Sequence, residues 1–290
     1  MKKKLIILAS LFMALSTTAQ NPQVRNKKGA DLIPQKGEIG IGVNAVPALV
    51  YIGDLFGYQS SNDAIAGNKF MSVLGDNTLF GKYMLFDNQA IRGHLRVGMT
   101  NHVYENQVNK DFTSNPDEKV LDTYERKSAF YTIGAGYEWR RGTTRLRGFY
   151  GGELFYQHIS GVQRNYSYGN AITPDNIVPT STTWNETSVL GVGNLDERTL
   201  VFNEGKYNGF GLRAFAGIEY YFAPKICVGT EFGWGGSYGT TGELSIVNEY
   251  SIFESGAYKR VERETTFGGG RGFMIDTDNF NGALYLMFYF

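Results

Sequence analysis

Charged side chains recur at alternate positions along this chain, and any chemistry would have to be built largely from them. Glu38, Lys82, Arg92, Arg96, Glu138, Arg147, Glu153, Arg213, Glu219 and Glu231 fall on one side of segments whose other side is apolar. Acids and bases are equal in number. Confined in a narrow space they must pair, because an isolated buried charge costs many kcal/mol while a paired, hydrogen-bonded one is tolerated. The set reads as a salt-bridged plug in preference to the lining of a conducting pore, although a narrow gated pore stays open as an alternative. Catalysis is more thinly supplied. His94, between Arg92 and Arg96, belongs with the packing network, and His158 sits near a strand top. His102, beside Asn101 and two residues from Tyr104, is the histidine best placed for catalysis. No nucleophile reads as held beside a base and an orienting group.

Metal and phosphate chemistry are not signalled. The three histidines lack zinc-motif spacing, and the single cysteine, Cys227, makes neither an intrachain disulfide nor a cysteine metal site. Gly268-Gly269-Gly270-Arg271-Gly272 matches a phosphate loop only in composition and reads as a flexible turn. The expectation is therefore no catalytic, cofactor-binding or metal residue. Net charge is zero, which argues against a nucleic-acid partner.

The charges are positioned by segments in which apolar and polar residues alternate, the period of a strand. Eight are expected: Glu38–Ala45, Thr78–Phe86, Ile91–Tyr104, Tyr124–Arg140, Arg145–Ile159, Tyr207–Phe222, Ile226–Ser237 and a terminal strand. In the last, Leu284, Leu286, Phe288 and Phe290 share one face, with Phe288 and Phe290 as an assembly signal. Connections alternate between short turns and long stretches at about 46–77, 105–123, 160–206 and 238–277. That asymmetry predicts an all-β, antiparallel up-and-down transmembrane β-barrel with short periplasmic turns and four long extracellular loops. Ten strands remain an alternative, since Glu243–Tyr250 and Tyr258–Thr266 could add a hairpin, read here as a charged ribbon above the membrane. A soluble lipocalin-like barrel or sandwich is the other alternative.

The ends agree with export. Lys2 to Lys4, an apolar run from Leu5 to Leu15 and Thr17-Thr18-Ala19 predict a signal peptide over 1–19, too short to span a bilayer. Residues 20–36 follow as a short periplasmic segment and 37–290 as the barrel domain. Glycine (37 of 290) and aromatics (14%) are both abundant, as suits a barrel wall and its interfacial girdles. Within the first long loop, Leu49, Ile52, Leu55 and Phe56 read as a rim-packed loop or a lid over the mouth.

Several stretches resemble the outer-membrane β-barrel proteins of Bacteroidetes, small barrels of the OmpA/OmpX kind. They are Gly37–Pro47 (GEIGIGVNAVP), Tyr137–Gly142 (YEWRRG), Gly148–Glu153 (GFYGGE), Glu219–Lys225 (EYYFAPK) and Leu286–Phe290 (LMFYF). The resemblance implies the outer membrane of a Gram-negative bacterium, with membrane lipid, lipopolysaccharide, the barrel-assembly machinery and an outer-membrane protein as partners. It carries no settled activity. The leading expectation is a closed, non-enzymatic surface barrel working through its loops. The alternatives are a narrow porin or hydrophobic-molecule transporter and, more weakly, a lipid-modifying enzyme.

Overall fold

The computed structural model describes residues 24–25, 27, 29–44, 79–185, 188–276 and 283–290. The expected signal peptide, residues 1–19, and the residues expected as a rim-packed loop or lid, Leu49, Ile52, Leu55 and Phe56, lie outside them. Among the described residues the chain is all-β, without helix, and every strand pairing is antiparallel. The strands are β1 (Ile39–Asn44), β2 (Leu79–Phe86), β3 (Gln89–Asn109), β4 (Lys119–Arg141), β5 (Leu146–Ile159), β6 (Gln163–Ser167), β7 (Thr180–Trp184) and β8 (Val189–Asn194). They continue as β9 (Glu197–Asn203), β10 (Tyr207–Ala223), β11 (Ile226–Thr241), β12 (Leu244–Glu254), β13 (Ala257–Phe267), β14 (Gly270–Asp276) and β15 (Ala283–Tyr289).

Eight strands close a ring. Neighbours run β1, β2, β3, β4, β5, β10, β11, β15 and back to β1. The period-two alternation is what makes these segments strands, and it sorts their faces. Ile39, Ile41, Leu79, Tyr83, Ile91, Leu95, Ile133, Leu154, Leu212, Ile218, Phe232, Trp234 and Phe288 are exposed. Lys82, Arg92, Glu138, Glu153, Arg213, Glu219 and Glu231, on the opposite face, are buried.

One end carries the short turns: Asp87-Asn88, residues 142–145 and Pro224-Lys225, where Lys225 takes a left-handed φ of 59°. The stretch expected to be a short leading segment packs into this end. Leu32 and Ile33 are buried in the cluster that holds Phe80, Met84, Phe149, Tyr221 and Tyr289. Lys225 N donates to the Leu32 carbonyl at 3.0 Å and Gly37 N to the Met84 carbonyl at 2.7 Å.

The other end departs from the expected loops. β3 and β4 run on to Asn109 and back from Lys119, so most of 105–123 is ladder. Residues 160–206 contain β6, β7, β8 and β9 instead of one long loop. The expected charged ribbon is β12 and β13, joined by Ser255-Gly256 with both residues at positive φ, the geometry of a tight hairpin turn. It does not stand alone: β12 pairs β9, β9 pairs β6 and β6 pairs the far half of β4. The glycine-rich stretch expected to be a flexible turn begins β14, which pairs the far half of β11. An outer sheet of β4, β6, β9, β12 and β13 thus grows out of the ring wall.

Candidate functional site

The ring interior gathers most of the charged set. Lys82 Nζ lies 2.7 Å from Glu138 and 2.8 Å from Glu219. Arg92 Nη1 contacts Glu231 at 2.6 Å, and its Nε lies 3.3 Å from Glu153. Arg213 Nη1 bridges Glu153 at 3.1 Å and Glu231 at 2.6 Å. A base outside the expected set completes the balance. Arg140 pairs Glu219 and reaches the hydroxyls of Tyr289 (2.9 Å) and Tyr221 (2.5 Å). Tyr221 and Tyr285 each donate to Glu219 at 2.8 Å. Lys82, Arg92, Arg140 and Arg213 thus face Glu138, Glu153, Glu219 and Glu231, all buried. Rings support the cations: Lys82 lies 4.4 Å over Phe149 and Arg92 4.0 Å over Phe215.

Three expected members stand apart. Glu38 precedes β1 and turns to Lys225 at 2.5 Å at the short-turn end, because a residue just outside the strand is not bound to its alternation. Arg96, two rows beyond Arg92, lies 4.8 Å over the Phe130 ring and makes no ion pair among the described residues. Arg147 is buried without a carboxylate partner there and donates to the Gly142 carbonyl. In place of the five-to-five balance expected from the sequence the network is four to four, with Arg140 added and Glu38, Arg96 and Arg147 outside it.

The histidines do not assemble an active site. His94 Nδ1 is 3.8 Å from Glu153, and the imidazole lies across Gly134, where an added Cβ would sit 2.0 Å from it. Exposed His102 stands opposite Arg126, 6.2 Å from the Tyr104 ring. His158 stacks on Tyr131 and contacts Asn208 at 2.8 Å. Gly235-Gly236-Ser237-Tyr238-Gly239 does match G-x-S-x-G spacing, a match missing from the reading of the sequence above. Ser237 sits within β11 opposite Gly211, not at the strand-to-helix turn that the nucleophile elbow requires.

A second buried polar cluster lies in the outer sheet and was not read from the sequence. Arg198 donates to the Asn170 carbonyl (2.8 Å), Ser181 Oγ (2.7 Å) and Glu249 (2.6 Å). Arg260 meets the other oxygen of Glu249 at 2.5 Å. Asp122 accepts the backbone N–H groups of Gly169 (2.8 Å) and Thr182 (2.7 Å). Burial pushes the Asp111 carboxyl up, but hydrogen bonds from Asn176 and Thr180 outweigh it and hold it below its ordinary value. Burial also pushes the Tyr168 hydroxyl up, against the opposing charge of Arg198. Tyr124 is buried between Tyr104 (5.5 Å) and Tyr166 (4.9 Å), a three-ring ladder across β3, β4 and β6.

The outward wall is layered. His158, Asn208, Thr240 and Arg271 stand opposite one another across β5, β10, β11 and β14. Two residues nearer the short-turn end the row is Tyr156, Phe210, Tyr238 and Phe273, and the next is Leu154, Leu212, Gly236 and Ile275. The polar row is thus an edge beyond which the wall is apolar. No protein-family model matches this chain, and no curated protein is significantly similar to it.

Proposed function

We propose that the chain is an outer-membrane β-barrel of eight strands with a closed lumen, non-enzymatic, whose outer sheet serves as a surface for partners outside the cell. In this reading it is of the same kind as the small Bacteroidetes barrels that its sequence resembles. The observation that carries the reading is the inverted polarity of the ring. Large apolar residues are exposed on every ring strand, while nine charged groups, Arg147 and the eight that pair with one another, are buried on the inward face. In water such an arrangement would leave its apolar surface uncovered and its charges desolvated. In a bilayer both become reasonable.

Dimensions fit as well. Phe210 and Phe222 bound the exposed apolar stretch of β10. Twelve steps at ~3.4 Å each, tilted by roughly 40°, rise about 31 Å, comparable to the ~30 Å hydrocarbon core of a bilayer. β3 and β4 have 21 and 23 residues, and about 9–11 suffice to span a membrane. Half of each is left over, and the outer sheet is built on that half. The interior argues for closure, since eight of its nine buried charges have an opposite partner and Leu32 and Ile33 pack at the short-turn end.

Recording of the refolded protein in planar bilayers tests this. A silent bilayer, with folding shown by heat-modifiable gel mobility, is the expected result. Stable openings whose ion selectivity changes in Glu231→Gln would replace it with the porin reading.

A further inference from the structure

We propose that the wall of β5, β10, β11 and β14 is a binding site for a phosphorylated, multi-chain lipid of the outer leaflet, of the lipopolysaccharide class. The inference rests on the membrane reading above.

A groove of about 1410 Å³ runs along this wall. Its floor is small: Ala135, Gly152, Ala214 and Gly236. Its sides are Leu154, Phe210, Leu212, Trp234, Phe273 and Ile275, all well exposed. The floor is low because Gly152 and Ala214 stand opposite each other and Gly236 stands opposite Leu212, so residues with little or no side chain lie beside bulky ones. Four strands span about 14 Å at ~4.8 Å per step, so acyl chains fit side by side.

Charge marks which end of the groove takes a headgroup. Arg271 occupies the polar row and shares its outward face with Phe273 and Ile275. Lys206 lies just ahead of β10, where its carbonyl accepts from Gly242 N at 2.8 Å and carries the β10–β11 ladder one pair beyond Tyr207 and Thr241, so it stands two residues above Asn208. Both are exposed, and neither forms an ion pair among the described residues. Glu204, the nearest acid preceding Lys206, is occupied by Arg164 at 3.1 Å. Thr240, between the two cations, and His158 and Asn208 beside them add polar groups. The cations are two strands apart, about 10 Å laterally, a spacing that suits an anion with more than one phosphate better than a single-phosphate glycerolipid. Arginine and lysine both bind phosphate through charge-assisted hydrogen bonds. Apolar residues below and free cations above are the complement of an anionic amphiphile whose chains point toward the membrane centre.

The test is native mass spectrometry of the detergent-solubilised, folded protein titrated with bis-phosphorylated lipid A, dephosphorylated lipid A and phosphatidylglycerol. The expected result is preferential retention of the bis-phosphorylated form. Lys206→Gln/Arg271→Gln should lose about tenfold of that affinity, equivalent to ~1.4 kcal/mol, and should bind the dephosphorylated form as before. Gly236→Phe, which fills the floor where an added Cβ has its nearest neighbour at 3.6 Å, should weaken both lipid A forms. Equal retention of phosphorylated and dephosphorylated lipid A, or an unchanged double variant, overturns the site and leaves ordinary lipid-facing wall. Stronger binding of phosphatidylglycerol overturns the assignment to lipopolysaccharide. Failure of the membrane reading looks different: the folded protein would stay monodisperse without detergent and would not insert into vesicles.

Discussion

The ring interior and the outer sheet each bury arginine against glutamate, yet they satisfy the charges by different means. Inside the ring the backbone is committed to the ladder, so side chains have only one another. Arg92, Arg213, Glu153 and Glu231 form a closed circuit, and Glu219 collects Lys82, Arg140 and two tyrosine hydroxyls. In the outer sheet the same kinds of residue hold irregular backbone. Arg198 takes a carbonyl and Asp122 takes two N–H groups from the 168–182 stretch laid over the sheet. The first arrangement is all-or-none, since removing one member leaves another buried and unpaired. The second is local stitching, in which each lost partner frees a short segment.

That contrast is sharpest at Glu219. Replacement by alanine leaves Lys82 and Arg140 to share one carboxylate, Glu138, at 2.7 and 3.5 Å, so that one buried cation is uncompensated, and a loss of about 3–5 kcal/mol in unfolding stability is expected. Urea titration of the refolded protein in detergent checks this. A loss below 1 kcal/mol would mean that the ring cations find water, and the all-or-none description would fail. Asp122→Ala should cost less, about 1–3 kcal/mol, and confine the damage to the outer sheet. Hydrogen exchange should then accelerate at Gly169 and Thr182 while β10 and β11 stay protected. Faster exchange in the ring strands as well would erase the distinction between the regions.

The smallest effect is one of pH. The Asp111 carboxyl is held below its ordinary value, so its contribution is present above the unfolded-state value of about 3.9 and is lost as pH falls through the lower folded value. Limited proteolysis between residues 111 and 180 should therefore increase below about pH 4, and Asp111→Asn should abolish that dependence.

Alternation made the ring legible, and its absence hid the rest. β10 reads as a strand because Phe210, Leu212, Ala214 and Ile218 separate cleanly from Arg213 and Glu219. β6 (QRNYS) and β7 (TSTTW) are mostly polar, so no period of two marks them; β6 owes its strand character to β4 and β9, far along the chain, and β7 to its hairpin neighbour β8. β14 is masked by its glycines, which signal a turn until β11 supplies a ladder. Arg140 could have been found: it shares its face with Glu138 two residues earlier, but it sits at the end of its strand, where the pattern gives way to a turn. Arg96 and Arg147 show the opposite error. Facing the interior is a matter of parity, while joining a network depends on depth along the axis, which parity does not encode.

The closing contact of the ring has a consequence for how the chain is made. Ile41 meets Phe288 across β1 and β15, positions at opposite ends of the sequence. Bringing them together has a high loop-closure cost, and topologies dominated by such distant pairings fold slowly. Until the seam forms, β1 and β15 are both open edges able to recruit any passing strand. Leu32 and Ile33 belong to one buried cluster with residues of β2, β5, β10 and β15, so that cluster is complete only when the seam is. Burial of that short segment is thus a marker of a closed ring, and a newly made chain would need an escort for as long as it stays uncovered.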